Sequence, residues 1–165
     1  MPTMKTPKLM EEKAALQRAA ALCSAREYCV SEIEEKLVKW GQSPEAQARI
    51  IAYLTREGYI DEARFCRAYA LDKMRYNHWG RVKIAQSLRL LGVDGSDIEA
   101  ALRELPAEEY AELLRKTIAT KLPSIKASSA YERNGKLIRF LLGRGFEMSL
   151  IRQCLDGTDD FGDNL

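Results

Sequence analysis

The sequence lacks the residues and motifs on which most enzymes depend. Its 165 residues include one histidine, His78, and four scattered cysteines without a C-x-x-C pair. It contains no G-x-x-x-x-G-K-S/T, no G-x-S-x-G and no H-E-x-x-H, the motifs typical of phosphate-binding loops, serine hydrolases and zinc proteases. We therefore expect a protein that is not an enzyme and that uses no metal and no cofactor.

Long apolar runs and a secretion signal are also missing. The longest apolar runs, such as residues 19–23, are about five residues long, whereas a membrane-spanning helix needs about 20. The first ten residues carry Lys5 and Lys8 but no apolar segment of the kind that signal peptides contain. We expect a cytoplasmic protein without a membrane partner. Its cysteines are then reduced and mostly buried thiols: Cys23, Cys29, Cys66 and Cys154.

No segment alternates apolar and polar residues as a strand would, whereas one helical pattern occurs three times. Two apolar residues four positions apart are followed, four positions later, by glycine. This pattern is typical of an amphipathic helix that ends in a glycine cap. Its recurrence at intervals of roughly 50 residues predicts tandem copies of one helical unit. The three copies are Ile33, Leu37 and Gly41; Ile84, Leu88 and Gly92; and Leu137, Leu141 and Gly145.

We therefore predict an all-α fold of three tandem three-helix (trihelical) units that form an elongated, curved array. A unit of this size buries little surface, so each should lean on its neighbour. A charged content of 30% with a net charge of +2 is typical of a soluble globular chain. The predicted units span residues 8–58, 59–105 and 106–155, and residues 156–165 form an acidic flexible tail.

Helix start signals support this division. Ser43 before Pro44, and Asp61, are typical N-caps. Three serines also have a glutamate three residues later, the pattern of a capping box. These pairs are Ser31 with Glu34, Ser96 with Glu99, and Ser129 with Glu132.

The cations are concentrated in the second unit, where only one acid, Asp72, accompanies them between residues 64 and 89. Cations mixed with aromatic rings suit a phosphate-bearing or acidic partner, although a solvated helix face explains the same run. His78 lies in a turn, either as a surface residue or as part of this patch. Ile84 and Leu88 are expected on the buried face and Arg81 on the surface. The candidate partner-binding residues are Arg64, Arg67, Lys73, Arg75, His78, Arg81, Lys83 and Arg89, interleaved with Tyr69, Tyr76 and Trp79.

The last ten residues are acidic, with Asp156, Asp159, Asp160 and Asp163. A tail of this composition increases solubility. A second interpretation is that it shields the basic unit when no partner is bound.

Three segments resemble the RecX family of regulatory proteins. Residues 58–65, GYIDEARF, are similar to the family's G-Y-I-D-D/E-x-x-F signature, and residues 26–37, REYCVSEIEEKL, to its R-E-Y-S-x-x-E-L-x-x-K-L segment. Residues 79–92 resemble its G-x-x-x-I-x-x-x-L-x-x-K-G-I segment. The chain departs from these patterns at Cys29, Trp40 and Leu91, and the third unit retains mainly the helical pattern.

The resemblance implies three trihelical units and a non-enzymatic modulator of the RecA recombinase. Such proteins bind RecA and its filament on single-stranded DNA and limit filament growth, ATPase, strand exchange and coprotease activity. The implied partners are RecA, its filament and, weakly, DNA, with the protein itself a monomer. The residues alone leave two alternatives open: a helix-turn-helix-like protein that binds bare DNA, and a helical scaffold for another partner.

Overall fold

The protein is helical throughout the part that the structure describes. The computed structural model describes the backbone of residues 10–162 and the side chains of residues 10–156. This range contains nine α-helices, one short 3-10 helix and no strand, which confirms the predicted all-α class. The helices are α1 (Glu12–Ala25), α2 (Val30–Lys39), α3 (Pro44–Arg56), α4 (Glu62–Asn77), α5 (Arg81–Leu90), α6 (Gly95–Arg103), α7 (Ala107–Lys121), the 3-10 helix Leu122–Ser124, α8 (Ala130–Gly143) and α9 (Met148–Gly162).

The helices follow one another as three sets of three, as the repeated pattern predicts: α1–α3, α4–α6 and α7–α9. We call these sets the first, second and third unit. Four glycines just after α2, α3, α5 and α8 have positive φ angles, which glycine adopts without the steric cost that a side chain adds. Their φ values are 78° at Gly41, 78° at Gly58, 77° at Gly92 and 94° at Gly145.

Three predicted N-caps are confirmed. The Ser43 hydroxyl accepts a hydrogen bond from the Ala46 N–H at 3.1 Å and starts α3. The Asp61 carboxylate accepts from the Arg64 N–H at 3.1 Å and starts α4. Ser129 starts α8 by accepting from the N–H of a residue three positions later, Glu132, at 3.1 Å.

The predicted capping boxes at Ser31 and Ser96 are wrong, and at Ser129 only the N-cap half is present, because the Glu132 carboxylate accepts from the Ser128 N–H at 3.1 Å. Helix α2 is capped by Cys29, whose N–H donates to the Glu32 carboxylate at 3.1 Å, so the box lies two residues before Ser31. The Ser31 hydroxyl instead donates to the Leu91 carbonyl oxygen, 60 residues away, at 2.6 Å. Helix α6 is capped by Asp94, whose carboxylate accepts from the Ser96 N–H at 3.1 Å.

Within residues 10–156, the buried apolar residues form two clusters rather than three. The first unit has a cluster of its own, centred on Ile33, Leu37 and Leu54. The second and third units share one continuous cluster, in which the predicted core residues Ile84 and Leu88 are fully buried. Thus two of the three repeats are joined through a common core, and the first adjoins them with a separate one.

Helix α9 continues to Gly162, into the segment predicted as a flexible acidic tail. The side chains of Asp159, Asp160 and Asp163 lie outside the described residues, so the tail stays a prediction. In the described part of the chain, no helix has both the length and the apolarity to cross a membrane.

Candidate functional site: a partner-binding surface

The cations predicted to bind a partner divide into two groups. Four of them make ion pairs with carboxylates; three of these pairs reach another unit, and the fourth reaches the end of another helix of the same unit. The remaining cations lie near aromatic rings or in solvent. This division decides which cations are available to a partner.

Arg64 connects the first two units. Its Nε donates to Glu27 Oε1 at 2.6 Å, and its terminal nitrogen donates to the Gly58 carbonyl oxygen at 3.0 Å. The hydrogen bond to Glu27 raises the pKa of Arg64 above its usual value. Because its donors are used within the chain, Arg64 stabilises a junction and is poorly placed to bind a partner.

Arg81 connects the second and third units, and its assignment to the exposed surface is wrong. Its guanidinium donates to Glu147 Oε2 at 2.9 Å and to the Leu102 carbonyl oxygen at 3.2 Å, and lies 3.9 Å from the centre of the Tyr110 ring. The Tyr110 hydroxyl donates to the same Glu147 carboxylate. Burial and this hydrogen bond raise the pKa of Tyr110, which therefore stays a donor.

The third unit also caps the start of α5. The Gly80 N–H donates to the Arg144 carbonyl oxygen at 2.8 Å, and the Val82 N–H donates to the Gly145 carbonyl oxygen at 2.9 Å. A Cβ on Gly80 would overlap the backbone of Gly145, and a Cβ on Gly145 would overlap Lys83. Glycine is therefore needed at both positions because the two backbones cross in contact.

Two further arginines pair with glutamates at the surface. Arg75 on α4 makes a bidentate pair with Glu109 on α7, with N–O distances of 2.8 and 3.1 Å. Arg67 lies 3.7 Å from Glu104 at the end of α6. The Arg75 pair raises the pKa of Arg75 and lowers that of Glu109, so both groups are charged at neutral pH.

Two lysines lie close to the side chain of Trp79 and pair with no carboxylate in the described residues. Lys73 Nζ lies 5.0 Å and Lys83 Nζ 4.7 Å from the centre of the Trp79 ring, and Lys73 also lies 5.2 Å from the Tyr69 ring. We call Tyr69, Lys73, Trp79 and Lys83 the Trp79 cluster. Its cations keep their donors for a phosphate or a carboxylate of a partner.

The two remaining candidates are exposed. His78 ends α4 in the left-handed conformation, with φ of 58°, and Arg89 lies on the outer face of α5. The structure thus brings together Lys73, Lys83 and Trp79, whereas His78 lines a different cavity. The exposed Tyr76 lies outside the cluster.

A basic groove in the third unit was missed by the sequence analysis. It has a volume of about 580 Å³ and is lined by residues from α7, α8 and the end of α4. We call it the α7–α8 groove. Arg144 lies far from Lys116 and Lys121 in sequence, so no local run of charge marks the groove. The lining residues are His78, Leu113, Lys116, Thr117, Thr120, Lys121, Ser124, Phe140 and Arg144.

The described residues contain no group of three or more histidine, cysteine or acidic side chains able to hold a metal ion. Cys66 is fully buried, and burial raises the pKa of its thiol to about 12. A thiol with that pKa is neutral at physiological pH, which makes Cys66 a core residue rather than a nucleophile.

Comparison with known families identifies the repeats. The profile of the second three-helix domain of RecX matches residues 61–102, and that of the third three-helix domain matches residues 108–155. Together they cover more than half of the chain. The third unit, in which sequence reading found mainly a helical pattern, is therefore similar to the family as well.

Individual relatives agree. Regulatory protein RecX of Prosthecochloris aestuarii is 32% identical over 88% of this chain and 94% of its own length. Regulatory protein RecX of Oceanobacillus iheyensis is 30% identical over 92% of this chain, which spans only 58% of that longer relative.

Solved structures share the fold. A crystal structure of regulatory protein RecX superposes with a TM-score of 0.79 and 25% identity, covering 88% of this chain and 73% of the other. The crystal structure of RecX from Lactobacillus salivarius has a TM-score of 0.80 at 20% identity, covering 90% and 96%, and supports the fold alone. On the matched domains and the full-length relatives, the chain belongs to the RecX family of regulatory proteins.

Proposed function

We propose that the protein regulates the RecA recombinase by binding RecA and its filament on single-stranded DNA. Binding limits filament growth and lowers the ATPase, recombinase and coprotease activities, and so modulates DNA repair. Membership of the RecX family is the observation that carries the proposal. The protein acts as a binding regulator in the cytoplasm, without catalysis of its own.

The arrangement of the cations supports such a role. Arg64 and Arg81 each make an ion pair between two neighbouring units. These pairs help to fix the positions of the units relative to one another. Lys73 and Lys83 keep their charges unpaired at the Trp79 cluster. A row of joined units that carries free cations suits a partner with repeated acidic groups, such as neighbouring protomers or phosphates of a filament.

A helix-turn-helix reader of bare DNA is the alternative, since each unit has three helices. In such a module the recognition helix enters the major groove, where it meets phosphates. The third helix of the second unit, α6, starts with Asp94, Asp97 and Glu99 near its first turn. Three carboxylates at this end would repel the DNA backbone, which argues against this alternative for the second unit.

RecA ATPase activity on single-stranded DNA tests the proposal. Added at substoichiometric to equal amounts, the protein should slow ATP hydrolysis by RecA. A wide titration without any change, while RecA itself is active, would remove the proposed function.

The Trp79 cluster is tested by the double variant Lys73→Gln, Lys83→Gln. Inhibition should require several-fold more of this variant, because two unpaired cations are lost. The matched control Arg103→Gln, Arg152→Gln removes two exposed cations elsewhere and should inhibit like the parent. Equal inhibition by both double variants would mean that the cluster is a solvated face.

Affinity for RecA-coated DNA and for bare DNA, measured in the same salt, separates the proposal from its alternative. A filament regulator prefers the coated form. If the lysines of the cluster contact phosphate, each one lost should lower the salt slope of binding by about one.

A further inference from the structure

The α7–α8 groove is longer than a single pocket. A second cavity of about 230 Å³ adjoins it and shares His78, Leu113 and Lys116 with it. The joined groove follows α7 from Glu109 to Lys121, about 18 Å at the rise of an α-helix. A groove of this length holds an extended ligand or about three turns of helix.

The charge of the groove that is not taken up by ion pairs is positive. Among the residues that the structure describes, no carboxylate lines the larger cavity, while Lys116, Lys121 and Arg144 do. At the narrower end Glu109 and Glu112 line the wall, but each is paired with an arginine, Arg75 in the first case and Arg115 in the second. The unpaired charge along the groove is therefore positive, and its complement is an acidic ligand.

Two of these cations come from opposite walls. Lys121 on α7 lies 4.5 Å and Arg144 at the end of α8 lies 5.1 Å from the centre of the same Phe140 ring. An anionic group placed above this ring would meet both cations. Both cations already lie against Phe140, which makes this ring a poorer stacking platform for a nucleobase than an uncovered ring.

The floor is apolar, with Leu113 and Phe140 in the larger cavity and Met74 in the smaller one. A ligand that fits must therefore carry carboxylates at its edges and large apolar side chains at its centre. An amphipathic acidic helix combines these features, since residues three and four apart share one face.

We infer that the α7–α8 groove binds an acidic amphipathic helix of a partner protein. This site lies in the third unit and is distinct from the Trp79 cluster. It does not depend on the identity of the partner given under the proposed function.

The test uses a fluorescein-labelled peptide of 15 residues with leucines at i, i+3 and i+4 spacing and glutamates beside them. Fluorescence anisotropy should show binding to the full chain. The double variant Lys116→Glu, Lys121→Glu should bind at least tenfold more weakly, and the control Arg103→Glu, Arg152→Glu within twofold of the parent. A peptide of the same composition in scrambled order should bind at least tenfold more weakly than the helical one.

Several outcomes would overturn the inference. These are no binding of the helical peptide, equal binding of the scrambled peptide, and an unchanged affinity in the groove variant. The inference would also be overturned if the groove variant bound the peptide normally but lost affinity for an oligo-deoxythymidylate of 15 nucleotides. Circular dichroism checks the fold, and Arg144→Gln, which keeps the backbone contact to Gly80, provides a milder second variant.

RecA inhibition by the unmodified protein is measured in parallel. If the protein inhibits RecA but does not bind the peptide, only the inference about the groove is rejected. If it binds the peptide but does not inhibit RecA, only the proposed function is rejected.

Discussion

The two junctions between the three units are built differently. At the first junction, polar contacts predominate: Arg64 pairs with Glu27, and the Ser31 hydroxyl donates to the Leu91 carbonyl oxygen. Apart from Cys29, which belongs to the core of the second unit, the first unit keeps its buried residues in a separate cluster.

At the second junction, the core itself is continuous. Buried residues of the second and third units form one cluster, and the backbones cross at Gly80 and Gly145. Arg81 and Tyr110 share the Glu147 carboxylate beside this crossing. The comparison teaches that units of one repeat need not be equivalent: two of them share one core, and the first, with a core of its own, is linked to them by polar contacts.

The largest expected effects come from the two cores. Leu37 in the first unit and Leu88 in the second are both fully buried, so Leu37→Ala and Leu88→Ala should each lower the free energy of unfolding by about 2–5 kcal/mol. Trp40 reports on the first unit and Trp79 on the second. In single-tryptophan variants, Leu37→Ala should shift the Trp40 urea transition most, and Leu88→Ala the Trp79 transition. Identical shifts of both signals would mean that all three units unfold together.

The crossing of the backbones is tested by Gly80→Ala. The new methyl group must push Gly145 away, which should cost about 2–3 kcal/mol, as overpacking does. Gly135 lies inside α8 with open space at its Cβ position, so Gly135→Ala should stabilise the protein by about 0.5–1 kcal/mol. Thermal melts of both variants measure the two changes in stability. If Gly80→Ala left the stability unchanged, the two backbones could move apart without cost.

Replacing the arginine of the second junction should lower the free energy of unfolding more than replacing the arginine of the first junction. Arg81, with a side chain only 26% exposed, donates to a carboxylate and a carbonyl, so Arg81→Ala should cost about 2 kcal/mol. Arg64 is 40% exposed, and Arg64→Ala should cost about 1 kcal/mol. Urea unfolding of both variants measures the difference. A larger loss for Arg64 would reverse the ranking of the junctions.

The smallest effect is a pH dependence at the surface of the second junction. Arg75 holds the pKa of Glu109 below its usual value of 4.5, so the pair stabilises the folded state above that pH. The stabilisation is lost as the pH falls through the lowered pKa. Urea midpoints between pH 5 and pH 3 should therefore fall less steeply for Glu109→Gln than for the parent. Parallel curves would show that the pair contributes nothing to stability.

Local features of the fold were predictable from the sequence. Helix caps at Ser43, Asp61 and Ser129 follow from hydrogen bonds that span three residues, and a local pattern contains both partners. Ser31 was misassigned because its hydrogen-bond acceptor is the Leu91 carbonyl of the next unit. No pattern within one helix reveals such a contact.

The candidate site was predictable only in part. The cation run between residues 64 and 89 identified Lys73 and Lys83 together with the arginines that pair within the chain. Whether a cation is free depends on carboxylates such as Glu27 and Glu147, which lie far away in sequence. The α7–α8 groove could not be predicted from the sequence either, because Lys121 and Arg144 come together only in the folded chain.

Contact between units also sets which glycines of the repeat could accept a side chain. At Gly92 only the positive φ angle restricts the residue, since its Cβ position faces open space. Asparagine, which tolerates that angle better than other side chains, is an acceptable replacement there. At Gly145 the Cβ position is filled by Lys83 of the neighbouring unit, so asparagine is excluded. Gly92 is thus limited by its backbone angle alone, whereas its counterpart 53 residues later is limited also by contact with a side chain of the neighbouring unit.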